Sequence, residues 1–364
     1  MSIEQSADYL LSRTEYRPAV GIICGSGLSE LSKCMSNKET IPYNDIPGFV
    51  NVSVPGHTGE LVFGLINDVQ CVCMRGRFHY YEDNTMEQCV HPVKVMRLLG
   101  VKLLIVTNAA GGLNPSYNVG DIMVIQDHFG LVTLAGHHPL RGANDDSLGT
   151  RFPPMSDAYD KTLQQFVVDA AMKLNISHKV RLNGTYAYAC GPSYESMAEV
   201  RFLKSAGCDS VGASTVPEVI AARHCGMQVL GLSIITNAAV THRDEPAACH
   251  EEVLAAVDAC AAHVEALVRG VLHKSIIGSY LAAQPNFYHI PSPTDSVVHT
   301  PNSHTPATGN HRTAGANVNT GTSSEARRNR SLDPDAEDEF NNAVVSVIAL
   351  GAIVLGLFVV LKRK

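Results

Sequence analysis

The chain has 364 residues, 45% of them hydrophobic, and a formal net charge of −7. The apolar fraction can form a sizeable core, which excludes a wholly disordered protein, and the negative charge argues against a nucleic-acid-binding protein, which would carry a basic face. The 10 cysteines are scattered as in a protein with reduced thiols, and Cys71 and Cys73 stand too close together for a zinc site.

The first 279 residues predict one globular α/β domain, in which apolar strands alternate with glycine-containing turns and helices. Continuous apolar runs at 20–24, 103–107 and 229–236 predict strands that are buried on both faces. Such strands are typical of a mostly parallel, twisted central sheet flanked by helices. The glycine-rich residues 108–112 predict a turn directly after the second of these strands.

Three helices are predicted in the second half of this domain. Ser196 and Glu199 have the spacing of a capping box, in which each side chain binds the other residue's backbone N–H, and Thr215 and Glu218 repeat that spacing. Apolar residues recur with helical periodicity over 251–271 and predict the last helix of the domain.

The C-terminal part of the chain changes composition twice. Residues 280–340 are polar and rich in Pro, Ser, Thr and Asn, which predicts a disordered linker. Residues 341–364 contain 19 consecutive uncharged residues at 343–361, long enough to cross a bilayer, followed by a Lys-Arg-Lys tail. We therefore expect one transmembrane helix that anchors the chain to a membrane.

The orientation of this anchor depends on two opposing signals. The N-terminus lacks the apolar segment of a signal peptide, which favours a tail anchor with the globular domain in the cytosol. The basic residues 362–364 favour the opposite orientation under the positive-inside rule. We give the missing signal peptide more weight, because three basic residues are too few for a firm prediction from the positive-inside rule.

Polar residues follow several predicted strands, at the edge of the sheet where open α/β folds bind ligands. Each residue has a structural explanation on its own, as a helix cap, a surface pair or a strand end. Their shared position favours a common site. The residues are Ser26, Arg77, His79, Asn108, Ala109, Tyr194, Glu195 and Asn237.

The chemistry of these residues points to phosphate and a heterocyclic base. Glycines 25 and 27 leave backbone N–H groups open to an anion, and Arg77 can grip two phosphate oxygens with its guanidinium fork. A dinucleotide site is disfavoured, because Glu30 occupies the third glycine position of the usual fingerprint. Glu195 can accept from ring N–H groups, and the Asn237 amide can both donate and accept. A nucleotide-binding or phosphorolytic enzyme is therefore predicted.

Seven motifs in chain order resemble those of the trimeric purine nucleoside phosphorylases, and the resemblance covers about residues 8–272. It implies the nucleoside phosphorylase fold for the globular domain and extends to neither the linker nor the apolar segment. The motifs lie at 21–28, 56–64, 76–82, 107–114, 191–195, 211–218 and 235–237.

The resemblance implies purine salvage by reversible phosphorolysis. Inosine, guanosine or their deoxy forms react with phosphate, which yields a free purine and (deoxy)ribose 1-phosphate. Phosphate is a co-substrate, no metal or organic cofactor is needed, no nucleic acid is bound, and a homotrimer is expected. The residues implied to hold phosphate are Ser26, His57, Arg77, His79, Ala109 and Ser214. Those implied to hold base and ribose are Tyr81, Tyr194, Glu195, Ala213, Asn237 and His250.

Catalysis is implied for Asn237, Glu195, His57 and His250, although His250 could instead cap the last helix. The chain departs from the family at Ala213, where Met is common, and at Leu148, where mammalian-type enzymes carry a Phe that reaches the neighbouring subunit.

Two other functions remain open at this stage. The first is a methylthioadenosine phosphorylase-like enzyme, whose site would favour Asp over Asn237. The second is a non-catalytic, membrane-tethered nucleoside-binding protein.

Overall fold

The computed structural model describes residues 1–54, 56–245 and 249–284. Within these ranges the chain forms nine strands and eight α-helices. The strands are β1 (Val20–Cys24), β2 (Ser36–Pro42), β3 (Glu60–Ile66), β4 (Val69–Arg75), β5 (Leu103–Gly112), β6 (Ile122–Gly130), β7 (Val180–Tyr188), β8 (Ser210–Gly212) and β9 (Gln228–Ala238). The helices are α1 (Ile3–Arg13), α2 (Met86–Leu98), α3 (Leu131–Leu134), α4 (Lys161–Lys173), α5 (Met197–Ser205), α6 (Val216–His224), α7 (His250–Val271) and α8 (Lys274–Ala283).

The described strands form one mixed sheet in the order β2-β3-β4-β1-β5-β8-β7-β6-β9, and β9 also pairs with β5. The last five strands of this order therefore close into a ring. Five pairings are parallel and four are antiparallel. The single α/β domain is confirmed, but the sheet is mixed rather than mostly parallel, because the strand group of β6, β7 and β8 runs opposite to β5 and β9.

One edge of β5 pairs with β9 along its whole length. The opposite edge has two neighbours, of which β1 pairs with it only as far as Val106 and β8 pairs only with Gly111 and Gly112. Residues 107–110 of β5 therefore lie in a fork between β1 and β8. The turn predicted at 108–112 is wrong, because pairing with β9 extends the strand to Gly112.

Helices cover both faces of the sheet. One apolar cluster packs α1, α2 and α6 against one face, and a second packs α4, α7 and α8 against the other. The side chains of β1 alternate between them, since Ile23 belongs to the first cluster and Ile22 to the second. All five β1 residues are buried, which confirms the prediction of strands covered on both faces.

The predicted helix starts have different outcomes. Ser196 and Glu199 form the expected capping box at α5. Thr215 precedes α6 as expected, but it has φ +79°, and its side chain caps no backbone N–H. That capping box is wrong, because both side chains of the predicted pair bind Arg77 instead.

The C-terminal helices extend the globular fold. The helix predicted at 251–271 is confirmed as α7, but α8 follows it and ends at Ala283, past the predicted domain boundary at 279. The predicted linker beyond residue 284 and the apolar segment 343–361 lie outside the described residues. Within the described ranges, none of the helices combines the length and apolar character needed to cross a bilayer.

Candidate active site

A cavity of about 810 Å³ opens at the fork beside β5. Eleven of the twelve residues predicted for the site line it, and the twelfth, His57, contacts two of them. The structure therefore brings together loops that are up to about 220 residues apart in the chain. The eleven are Ser26, Arg77, His79, Tyr81, Ala109, Tyr194, Glu195, Ala213, Ser214, Asn237 and His250.

Arg77 is almost fully buried, with 2% of its surface exposed. Its Nη1 donates to the hydroxyls of Ser214 and Thr215, the latter at 3.0 Å, and its Nη2 donates to the Thr107 carbonyl at 2.7 Å. Its Nε lies 3.5 Å from the Glu218 carboxylate. Both N–H groups of Nη1 are therefore used by protein hydroxyls, and a phosphate oxygen bound at Nη1 would replace one of them.

His79 is the centre of a stack of three rings. Its ring lies 5.2 Å from that of His57 and 4.6 Å from that of Tyr81. Its Nδ1 lies 3.0 Å from Glu82. Burial alone would raise the pKa of Glu82, but hydrogen bonds from His79 and Ser53 outweigh it and lower that pKa to about 2. An ionised Glu82 keeps the proton of His79 on Nδ1, so Nε2 of the neutral ring is an acceptor that can bind a hydroxyl or a protonated phosphate oxygen.

The loop after β1 forms the floor of the phosphate side. Gly25 packs so closely on β5 that an added Cβ would lie 2.8 Å from the Asn108 Cα. Its N–H donates to the Thr107 hydroxyl at 3.1 Å, so this predicted phosphate donor is already used. The Ser26 hydroxyl lies 3.3 Å from Nε2 of His57 and faces the cavity.

A second part of the cavity wall carries an acceptor and an amide. Burial raises the pKa of Glu195, and the charge of Glu199 raises it further. At the end of β9, the Asn237 Oδ1 accepts from Thr236 at 3.0 Å, and its Nδ2 donates to the Ala238 carbonyl at 3.3 Å. The second N–H of this amide can serve a ligand, so the wall offers both a donor and an acceptor.

The space between the two walls suits a sugar. Tyr81 and Ala213 pack against Gly191, where an added Cβ would lie 3.0 Å from each. His250 is the first residue of α7 rather than its cap, which is Cys249. The buried Nε2 of His250 has no hydrogen-bond partner among the described residues. Such unpaired atoms are costly in a folded protein and mark a place where a ligand can bind.

Comparison with known proteins agrees with this geometry. Residues 19–273 match the phosphorylase superfamily. The chain is 49% identical to the mouse purine nucleoside phosphorylase over 75% of its length and 94% of the relative, and 45% identical to purine nucleoside phosphorylase 1 of Geobacillus stearothermophilus over 74% and 97%. The chain belongs to the purine nucleoside phosphorylases of this superfamily.

Solved structures of the family show the same fold. Crystal structures of the Schistosoma mansoni purine nucleoside phosphorylase in complex with inosine and with adenosine each have a TM-score of 0.72 and 41% sequence identity to this chain. Each comparison covers 75% of this chain and at least 95% of the solved one. The superfamily match ends at residue 273, before α8 and the polar segment that follows it.

Several residues of this phosphorylase site were missed by the sequence reasoning. Glu82 had a local signal, since it closes the motif that contains His79. Thr215 and Glu218 were assigned to a capping box, and no local signal distinguishes that from binding Arg77. His242 and Arg243 line the cavity from the loop after β9. Within that loop, Glu245 accepts from the Thr241 hydroxyl and from the His242 N–H.

The site makes the stability of the enzyme depend on pH through His57. Burial, His79 and Arg77 lower the pKa of His57 to about 3, whereas a histidine in an unfolded chain titrates near about 6.5. The contribution of His57 to the free energy of unfolding is therefore complete above about pH 6.5. It falls, by up to about 1.4 kcal/mol per pH unit, as the pH drops toward the folded-state pKa.

Replacing His57 removes this contribution. We expect the melting temperature of His57→Gln to fall less between about pH 7 and pH 5 than that of the wild type. Scanning calorimetry at several pH values measures this, with His178→Gln as the control at an exposed site. Equal slopes for His57→Gln and the wild type would contradict the burial of a neutral ring.

Proposed function

We propose that the chain catalyses the reversible phosphorolysis of inosine, guanosine and their deoxy forms. The products are a free purine and (deoxy)ribose 1-phosphate. One observation carries this proposal: residues suited to phosphate and residues suited to a purine base line the same cavity. A nucleoside and a phosphate bound together in that cavity would bring the glycosidic bond close to the phosphate.

The phosphate side supports attack on the sugar. Ser26, Arg77, His79, Ser214 and the backbone of Ala109 surround this end of the cavity. A phosphate held there stabilises the positive charge that develops on the ribose as the glycosidic bond breaks. His57 would support this group by its contact with Ser26. The bond that forms joins a phosphate oxygen to C1 of the sugar, and the bond that breaks is the one to the purine nitrogen.

The base side supports departure of the purine. The free N–H of Asn237 can donate to the base as negative charge builds on it, and Glu195 can accept the ring N–H of a 6-oxo purine. Tyr194, at the edge of the cavity, is 50% exposed and can cover the base. Tyr81 and His250 would contact the ribose, with Ala213 beside them.

The chemistry needs no metal or organic cofactor in this proposal, because phosphate is both nucleophile and electrostatic stabiliser. A methylthioadenosine phosphorylase-like activity is less well supported. Asn237 presents an amide where a carboxylate would suit the 6-amino group of adenine.

We also propose that the chain assembles as a homotrimer, as the family resemblance implies. Leu148 is 6% exposed and packs in the core, so it does not extend toward a neighbouring subunit. Leu134 and Phe152 are 73% and 85% exposed. Exposed apolar side chains of this size suit a contact between subunits.

The assay that tests the proposed function measures inosine and guanosine consumption with and without phosphate. We expect phosphate-dependent cleavage of both nucleosides and slow cleavage of adenosine. Equal rates without phosphate would indicate a hydrolase, and binding without turnover would indicate a nucleoside-binding protein. Faster cleavage of adenosine than of inosine would contradict the preference for 6-oxo purines.

Asn237→Asp tests the base-recognition role. A carboxylate repels the 6-oxo purine but accepts from a 6-amino group, so kcat/KM for inosine should fall by about 10- to 100-fold relative to adenosine, the weight of one charged hydrogen bond. The control is Asn175→Asp, which adds the same charge in an exposed turn. A similar loss for both nucleosides would remove Asn237 from base recognition.

We propose in addition that residues 343–361 anchor the enzyme to a membrane, with the catalytic domain in the cytosol. The support is the uncharged sequence of this segment, which is long enough to cross a bilayer. A polar linker of about 55 residues would have a reach of about 40 Å, which lets the domain lie clear of the lipid headgroups.

The orientation can be tested at Asn329, which lies in a glycosylation acceptor sequence within the linker. In intact vesicles, added protease should remove the catalytic domain, and Asn329 should carry no glycan. A protected domain with a glycosylated Asn329 would show that the basic residues at 362–364 determine the orientation. A chain that stays in the supernatant would contradict the anchor itself.

A further inference from the structure

The first turn of α6 contacts the guanidinium of Arg77 at two places, through Glu218 at Nε and through Thr215 at Nη1. Glu218 is the third residue of this helix, and its side chain is only 5% exposed. Its Oε1 lies 3.5 Å from the Arg77 Nε, while the Thr215 hydroxyl accepts from Arg77 at 3.0 Å and from the Asn108 amide at 2.9 Å. A single helical turn therefore supplies two of the partners of one buried guanidinium.

This arrangement replaces the usual start of a helix. A Thr and a Glu at this spacing ordinarily cap each other's backbone N–H groups. Here Thr215 has φ +79°, which is costly for a β-branched residue, and its side chain caps nothing. Such strain persists only where the surrounding structure requires it, and it clusters at functional sites. The first turn of α6 therefore binds Arg77, and the helix begins without a side-chain cap.

The two sides of Arg77 face different surroundings. Arg77 and Ser214 line the cavity, and Thr215 and Glu218 do not. Ser214 receives a hydrogen bond from Nη1, on the edge opposite the Nε that faces Glu218. Glu218 therefore lies behind the guanidinium, out of reach of a ligand in the cavity.

We propose that Glu218 is a positioning residue for phosphate. It fixes the Nε edge of Arg77 from behind, so that the Nη1 edge beside Ser214 points into the cavity and can pass from that hydroxyl to a phosphate oxygen. It touches neither substrate. This inference rests on the proposed phosphate-binding role of Arg77.

A purely structural ion pair would behave differently. Loss of a structural pair lowers the stability of the fold and affects both substrates alike. Loss of a positioning contact changes the orientation of Arg77 and weakens phosphate binding alone. The ratio of the KM changes for phosphate and for inosine therefore separates the two roles.

Two variants of Glu218 separate the effect of side-chain length from the effect of charge on phosphate binding. Glu218→Asp keeps the charge but withdraws the carboxylate by one methylene from an ion pair that is already 3.5 Å long, and we expect the KM for phosphate to rise by about tenfold. Glu218→Gln keeps the length and an acceptor oxygen but removes the charge, and should raise the KM for phosphate by about threefold. The KM for inosine should change by less than about twofold in both, since Glu218 lies outside the cavity.

The matched control breaks a buried ion pair elsewhere. Asp121, with 3% of its side chain exposed, lies 2.7 Å from Arg181 and does not line the cavity. Asp121→Asn should lower the melting temperature without a change in the KM for phosphate. If Glu218→Asp fails to fold, the isosteric Glu218→Gln is used for the test. Phosphate binding by this variant is then also measured as the rise in its melting temperature when inorganic phosphate is added.

Arg77→Ala separates failure of this inference from failure of the proposed function. In that background, Glu218→Gln should change the KM for phosphate by less than about twofold, because it acts through Arg77. An unchanged KM for phosphate in Arg77→Ala would overturn the phosphate role of Arg77. A strong effect of Arg77→Ala with no effect of either Glu218 variant, or with equal effects on both substrates, would overturn only the positioning role.

Discussion

A buried guanidinium is the element around which this site is built. Burying Arg77 removes a full charge from water, which is tolerated only when the group is paired and hydrogen-bonded. Its partners come from β5, from the end of β8 and from the first turn of α6. One side chain thus ties β5 to the connection between β8 and α6, which lies 137 residues after Arg77 in the chain, and these contacts form before any ligand enters.

The fork beside β5 makes room for this wall. Over residues 107–110, the edge of β5 faces neither β1 nor β8, so its backbone and side chains are open to loops and ligands. Gly25 fills part of the gap, and the Thr107 carbonyl accepts from Arg77. A cavity with polar walls therefore lies against an otherwise fully paired strand. Two groups of strands with opposite directions converge at this point, and the residues proposed for phosphate and for the base line one cavity there.

The sequence was most informative where local chemistry decides the structure. Apolar runs predicted β1, β5 and β9, and the Ser196 capping box predicted α5, because both patterns act within a few residues. The predictions failed where the conformation of a segment depends on residues far away in the sequence. Residues 108–112 form strand rather than the expected turn, because they pair with β9. The capping box expected at Thr215 does not form, because the side chains of Thr215 and Glu218 bind Arg77. The site residues came from the family motifs, and Glu82 and Glu218 were missed because their roles depend on other side chains rather than on spacing.

The ring formed by β5, β8, β7, β6 and β9 also limits how copies of the chain can associate. The ring leaves only parts of its strands unpaired along one edge, such as residues 180–185 of β7, and β2 is the outermost strand of the described sheet. That strand carries Lys38 and Glu39, contains an irregularity in its pairing and ends at Pro42. Charge, a bulge and proline all discourage the addition of a further strand. Addition of a strand from another copy of the chain at β2 is therefore unfavourable, so this border is a poor template for edge-to-edge aggregation.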